Sequence, residues 1–515
     1  MASSLLWSAS RLPVGLESDS VRKMFTLLFC VSVLYTLWRI SYNVLLHPLR
    51  KFPGPRLWAA SRISFAVTCA TGQGHRKILQ LHEKYGDIVR VAPDELVFCS
   101  PDAWKEIYGR RKTARGEISK DYVHYAEAKD SILGAPKDRH TQLRRILSRG
   151  FTNSAVLDQE GLIKSHVDQL FNILAEHEQS QGPRTPIDMN KLFDFVALDI
   201  ITDLGFGDSF HCLHTRKYHP WAQFFLDALP AIALATALKQ FQLIFSVLMA
   251  MAPKSVLQKH ENMVQLTNDI VKRRLDEADR PDLIQAMKEP TSGVGTKRYD
   301  QQPLSLQDIQ ANAQILTMAG YDTTATALAG TTYLLAANAD VMSRLIQEVR
   351  SSFKDEKEIT ISSTKSLEYL RAVIDESLRM YPPGASGMPR RIGEEGDVVL
   401  GHHIPAGTIV SIWQYAMYHN AKNFSEPEAF IPERWSNDKI DFSDKREAFQ
   451  PFSFGPRDCI GRHLAYAEVC TIIARLVWRF DLELVDVPGQ DWLSRQKNYL
   501  LWDRGPLNIR LKQRE

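Results

Sequence analysis

One stretch, FSFGPRDCIGRHLAYAE from Phe452 to Glu468, constrains this chain more than any other. It sets a single cysteine, Cys459, between Gly455 and Gly461, with Arg457 and Arg462 beside it and a helical apolar pattern from Gly461 onward. Just ahead of a helix N-terminus, the sulfur meets backbone amides and the positive end of the helix dipole. The two arginines add to that potential and Asp458 opposes it. Such surroundings favour the thiolate, the form that binds metal, over the thiol that a cysteine of pKa about 8.5 mostly is near neutrality. A nucleophile would want a histidine base, and His463 stands on the following helix with poor reach to Cys459. With one thiolate, zinc or an iron–sulfur cluster would lack ligands. An iron already held by four ring nitrogens needs only one more.

Phe452, Gly455, Arg457, Cys459 and Gly461 match F-x-x-G-x-R-x-C-x-G, the haem-binding signature of the cytochrome P450 family, which the chain resembles. The resemblance implies a mainly α fold with small β-sheets and haem b as cofactor. It also implies Cys459 as the axial iron ligand, Arg457 on a haem propionate and Phe452 shielding the sulfur. The other cysteines, Cys30, Cys69, Cys99, Cys212 and Cys470, are scattered without a CxxC, so they read as reduced apolar fillers.

A long helix is expected to open at the Ser305/Asp308 capping box and to run past Leu334. Inside it lies AGYDTT, Ala319 to Thr324. Gly320 costs a helix about 1 kcal/mol relative to alanine. It marks either a helix contact point or a groove for a flat cofactor, and Thr323 can bond back to a carbonyl. The segment resembles the family's A-G-x-D-T, which implies that Asp322 and Thr323 support proton delivery during oxygen activation. Glu376 and Arg379 of DESLRMYPP share a helix face, and with Arg434 of FIPERW they resemble the family's buried structural triad. His140 and Arg144, four apart, make a clamp suited to carboxylates, and Arg390 resembles the family's other propionate arginine, with Arg391 as a substitute. Many relatives carry tryptophan where His140 stands.

The N-terminal end differs in kind. MFTLLFCVSVLYTLW, from Met24 to Trp38, is uncharged, and with Arg39 snorkelling the apolar span reaches Leu46, long enough for a transmembrane helix. Arg50, Lys51, Arg56 and Arg62 outnumber Arg11, Arg22 and Lys23, which predicts a cytosolic body on a single-pass anchor in the endoplasmic reticulum membrane. Residues 1–46 are thus read as N-terminal segment and anchor, 47–56 as a stiff proline-rich linker and 57–515 as one catalytic domain. YGDIVRVAPDELVF from Tyr85 reads as a hairpin, and VVLGHHIPAGTIVSIW as two strands around a turn at Pro405–Gly407. The apolar run Trp221–Met251 reads as two helices with a break, either core or a lid touching substrate and bilayer.

The formal charge is +3 over 515 residues and no basic tract is long, which excludes nucleic acid as a partner. No flavin segment follows the cysteine helix, so the resemblance implies a separate NADPH-cytochrome P450 reductase. Lys137, Arg139, Arg145, Arg149 and Arg462 are its expected docking face. The implied activity is monooxygenation of an apolar small molecule. HPLRKFPGP, SGMPRR and FIPERW are most similar to fungal enzymes of specialised metabolism that tailor polyketides and terpenoids. A haem-thiolate isomerase or dehydratase and a non-catalytic haem-bound ligand sensor are the alternatives. Specificity is expected in Tyr108–Leu133 and Trp221–Met251.

Overall fold

From Met24 onward the side chains are apolar on all sides, and the chain forms a helix, α1 (Ser18–Ser41), continued by one wider turn to Leu46. Phe25, Leu28, Phe29 and Leu34 stand more than half exposed around its circumference, as lipid-facing residues would. The 25 residues Arg22–Leu46 are long and apolar enough to cross a membrane. The computed structural model describes residues 18–110, 116–251, 253–288, 304–436, 443–485 and 491–514. Residues 1–17 of the expected N-terminal segment and 111–115 of the expected specificity segment lie outside these.

The proline-rich connector is pinned to the body. Pro53 O accepts from Arg90 N at 2.8 Å, and a Cβ on Gly54 would lie 2.3 Å from Arg90 O, so only glycine fits that crossing. The expected hairpin forms from strands Ile88–Ala92 and Glu95–Phe98. They open a five-stranded sheet completed by Ile409–Ile412, Arg390–Arg391 and Ser119–Lys120, in which Glu95–Phe98 runs parallel to Ile409–Ile412. One turn is corrected. Asp397–Val399 pairs with His402–Ile404 around Leu400 and Gly401, both at positive φ (48° and 74°), and Pro405–Gly407 instead leads the chain away to the large sheet. A two-residue turn with left-handed backbone matches strand twist, which a Pro-containing turn does not.

The body is helical. Its main helices here are α2 (Ile63–Ala70), α3 (Lys137–Leu147), α4 (Met189–Phe206), α5 (Pro220–Leu238), α6 (Leu306–Ala337), α7 (Glu368–Met380) and α8 (Arg462–Arg479). The predicted capping box starts α6: Ser305 Oγ accepts from Asp308 N at 3.2 Å, and Asp308 Oδ2 accepts from Ser305 N at 3.0 Å. Phe193, Leu198, Leu328, Tyr321 and Ile472 are buried where α4, α6 and α8 meet. Each such side chain contributes about 1.5–3 kcal/mol by leaving water. Between Trp221 and Met251 the chain forms the two expected helices, α5 and Gln242–Ala250, with the break at Lys239–Phe241 and Pro230 inside α5.

The predicted charged triad is assembled at the end of α7. Arg379 Nε and Nη2 reach Glu376 at 2.9 and 2.8 Å, and Arg434 Nε reaches it at 3.2 Å, all of them buried. The remaining donors of Arg379 go to the carbonyls of Tyr418, Pro427 and Ala429.

Candidate active site

The cysteine loop is shaped by two backbone positions. Ser453 and Gly455 both have positive φ (62° and 83°), and a Cβ on Gly455 would lie 2.1 Å from Tyr108 O. Gly455 is therefore the glycine that the loop requires. Gly461, by contrast, has φ −85° and room for a Cβ, whose nearest neighbours lie 3.8 Å away or more. Its contribution is the amide that donates to the Cys459 sulfur, one residue ahead of α8.

Cys459 opens onto a cavity of about 490 Å³ deep in the body, so the accessible face of its side chain is cavity wall and not outer surface. That volume lies within the usual range for sites holding whole small molecules. Burial pushes the thiol up from its ordinary value; the Gly461 N–H, Arg144 and Arg462 pull the other way, and Asp458 adds to the rise. The expected stabilisation of the anion is present but outweighed by desolvation. A metal cation bound by a thiol would deprotonate it outright.

The helix α6 forms another wall through Ala319, Gly320, Thr323 and Thr324. Both readings of Gly320 hold: it lines the cavity, and a Cβ there would come within 2.7 Å of Ile201 of α4. Thr323 Oγ1 donates to Ala319 O at 2.6 Å, the backward bond expected. Asp322 is placed differently from Thr323. It does not line the cavity. Its side chain is buried against Arg504, with Oδ1 accepting from Nη2 at 3.0 Å, and the same nitrogen serves Asp194 at 2.7 Å. Consecutive helix residues point about 100° apart, and here that step turns Thr323 to the cavity and Asp322 to Arg504. Burial pushes the Asp322 carboxyl up to about 6 despite Arg504.

Cations gather on a third wall. Lys120, His140, Arg144 and Arg457 line the cavity, and Arg390 lies behind Lys120 as its partner in strand register. Arg457 spends Nε and Nη2 on Glu117 at 3.0 and 2.8 Å and Nη1 on Ala135 O at 2.9 Å, while Arg144 Nη2 meets Asp458 Oδ1 at 2.6 Å. Burial, then Arg457, Lys120, Arg144 and Arg390, hold His140 down at about 3, so it is neutral. Buried Arg390 donates Nη1 to Ile118 O at 3.1 Å and its Nε has no partner among the described residues. Arg391 is no substitute, because Asp121 binds it at 2.7 Å. Burial, then Arg390 and Arg457, push Lys120 well below its ordinary value, so this wall of basic groups, short of counter-charge, suits a ligand carrying carboxylates. With a lone sulfur on the cysteine loop and a flat, glycine-bearing helix wall, the donor set fits haem. Phe452 also lines the cavity, its ring 5.0 Å from that of Tyr466.

Sequence reasoning missed Lys120, because a single lysine in a two-residue strand carries no pattern. It also missed Arg504 and Glu468. Glu468, a buried α8 residue lining the same cavity, is pushed by burial from 4.5 to about 8. The folded chain keeps a proton there that the unfolded chain releases above about pH 4.5. Its contribution to stability therefore falls as pH rises from about 4.5 to 8. Glu468→Gln lacks that loss, so its melting temperature should gain on the unaltered protein between pH 5 and pH 8; parallel curves would refute the assignment.

A cytochrome P450 family model matches residues 52–508. Trichothecene C-15 hydroxylase of Fusarium sporotrichioides is 39% identical over 474 residues, covering 92% of this chain and 94% of the relative. Averantin hydroxylase of Dothistroma septosporum is 38% identical over 489 residues, covering 94% and 90%. A cytochrome P450 monooxygenase of Talaromyces stipitatus is 39% identical over 492 residues, covering 94% of each. Relatedness of that extent, running through the cavity walls and the cysteine loop alike, makes the chain a member of the cytochrome P450 family, a monooxygenase with haem b as its cofactor.

Proposed function

We propose that Cys459 Sγ would bind the haem iron and that Lys120, Arg144 and Arg457, with Arg390 beside Lys120 and neutral His140 as a hydrogen-bond partner, would hold its propionates. The observation that carries this reading is one cysteine sulfur opening onto a cavity also bounded by a glycine-bearing helix and a cationic wall. Bound haem supplies oxygen activation, which a thiolate donor tilts towards O–O cleavage and oxidation of an unactivated C–H bond. Thr323 keeps its proton on Ala319 O and leaves its oxygen lone pairs for a water in the cavity. Asp322, with Oδ2 lacking a partner among the described residues, takes up a proton there near neutrality and, on leaving Arg504, passes it towards Thr323.

The substrate is an apolar polyketide or terpenoid intermediate of fungal secondary metabolism. The apolar wall of Ile132, Leu133, Phe225, Leu229 and Ile232 supports this, as do relatives named for a trichothecene and for averantin. Electrons come from a membrane-bound NADPH-cytochrome P450 reductase. Lys137 and Arg145 are exposed for it, whereas Arg139 is paired with Asp308, and Arg149 Nη2 donates inward to Ala286 O. The chain sits on the endoplasmic reticulum membrane with its body cytosolic. It is anchored by α1 and steadied by exposed Leu57, Val67 and Met251.

Two measurements test this. The reduced protein with CO should give the thiolate-haem absorption band. With NADPH, O2 and a separate reductase it should convert the precursor that accumulates when the gene is deleted, one NADPH per oxygen inserted. A CO spectrum without that band, or NADPH use without an oxygenated product, would overturn it.

A further inference from the structure

Beside the large cavity lies a smaller one of about 100 Å³, walled by α2, α5, the strand Ile409–Ile412 and the turn between strands Lys497–Tyr499 and Leu501–Asp503. The two share His124, Ser386, Gly387, Tyr499 and Leu500, so one molecule can occupy both. Their chemistry differs. In the small cavity the carboxamide of Asn498 is buried with neither Nδ2 nor Oδ1 hydrogen-bonded, and Ser411 Oγ is buried and likewise without a partner among the described residues. Buried polar groups left unpaired are costly and call for a partner. Here the cavity offers a donor and an acceptor from Asn498 and, from the strand Ile409–Ile412, a hydroxyl that serves as either.

The charged groups around them are already closed. Arg62 is bound by Asp94 and Glu95, and Asp121 by Arg391, while burial leaves His124 neutral. A charged ligand group would find no free counter-charge among the described residues of this cavity, whereas a neutral group that both donates and accepts would satisfy Asn498 and Ser411. The boundary between the cavities carries backbone strain: Leu500 sits at φ 84° in the one-residue turn where Tyr499 pairs with Leu501. A non-glycine residue held there marks a position that its surroundings over-determine, which is common at ligand clamps.

We propose that the small cavity is a polar subsite in which Asn498 and Ser411 bind a neutral oxygen or amide function of the substrate, so that oxidation falls on the apolar part of the same molecule. The substrate is then an already functionalised amphiphile, not a pure hydrocarbon. It is the product of an earlier step that installs a hydroxyl, carbonyl or carboxamide. This rests on the haem-cavity reading above.

The test uses full-length, haem-loaded protein in lipid nanodiscs whose reduced CO band is intact, which separates failure here from failure of that reading. Dodecane, 1-dodecanol and dodecanamide are titrated, with binding read by calorimetry and by the shift of the main haem absorption band and corrected for partition into lipid. The alcohol and the amide should bind at least about tenfold more tightly than dodecane, the worth of one or two satisfied hydrogen bonds. Asn498→Leu should remove most of that preference and leave dodecane unchanged, and Ser411→Ala should weaken the alcohol selectively. Equal affinities for the three probes, or no binding of any of them, would overturn the inference. So would variants that keep the preference, since ordered waters would then be what satisfies Asn498.

Discussion

Replacing Cys459 by alanine should abolish the thiolate-haem CO band and cut product formation by at least about a thousandfold, more than about 4 kcal/mol of transition-state stabilisation. The expectation follows from the donor set. The cavity presents one cysteine sulfur, and among the described residues no group of three or more His, Cys, Asp or Glu side chains could hold a metal instead. Fold and haem affinity respond differently. The lost sulfur lines a cavity and not a packed core, so the apo chain should melt within about 1 kcal/mol of the original, as for most substitutions that disturb no packing or network. Circular dichroism would separate the two effects. A variant that keeps both the band and the product would sink the assignment of Cys459.

Arg379→Leu should be the most damaging change away from the cavity. It leaves the Glu376 carboxylate buried with only Arg434, the Trp435 indole at 2.9 Å and the Ile431 amide at 3.0 Å. It also strips a partner from the carbonyls of Tyr418, Pro427 and Ala429. Breaking a buried pair from one side costs about 3–5 kcal/mol, a large share of the roughly 5–15 kcal/mol that holds a domain folded. Soluble, haem-loaded protein should nearly vanish. Glu376→Leu combined with Arg379→Leu should recover part of the loss, because no orphan charge then remains between them. Melting curves and haem content check both variants. A single mutant as stable as the original, or a double mutant worse than the single, would show that the triad is not what holds this region.

Much of this was legible in residue order, for identifiable reasons. A capping box is local, so Ser305 and Asp308 announced α6. An unbroken apolar run is local, so α1 was readable. The cysteine loop was readable because it matches a family signature whose glycines and cysteine are fixed in spacing, although only the fold shows that Gly455 is under steric compulsion and Gly461 is not. The strand pairing after Val398 was misread because Leu400 carries no turn signal, while Pro405–Gly407 carries a strong one that serves a connection instead.

What spacing could not give was direction and company. Asp322 and Thr323 are neighbours in a helix, and only the position of Arg504, 182 residues away, decides that the carboxylate turns to an ion network while the hydroxyl meets the cavity. Lys120 joins the cationic wall only because its short strand pairs with Arg390. Residue order was enough for the family, the apolar span of α1 and the helix that carries Thr323, since each shows in patterns a few residues long. Tertiary structure alone decided which charges face the cavity, which are neutralised elsewhere, and how far burial overrides the helix dipole at Cys459. Desolvation and ion pairing depend on what the rest of the chain brings within a few ångströms, and no local pattern encodes that distance.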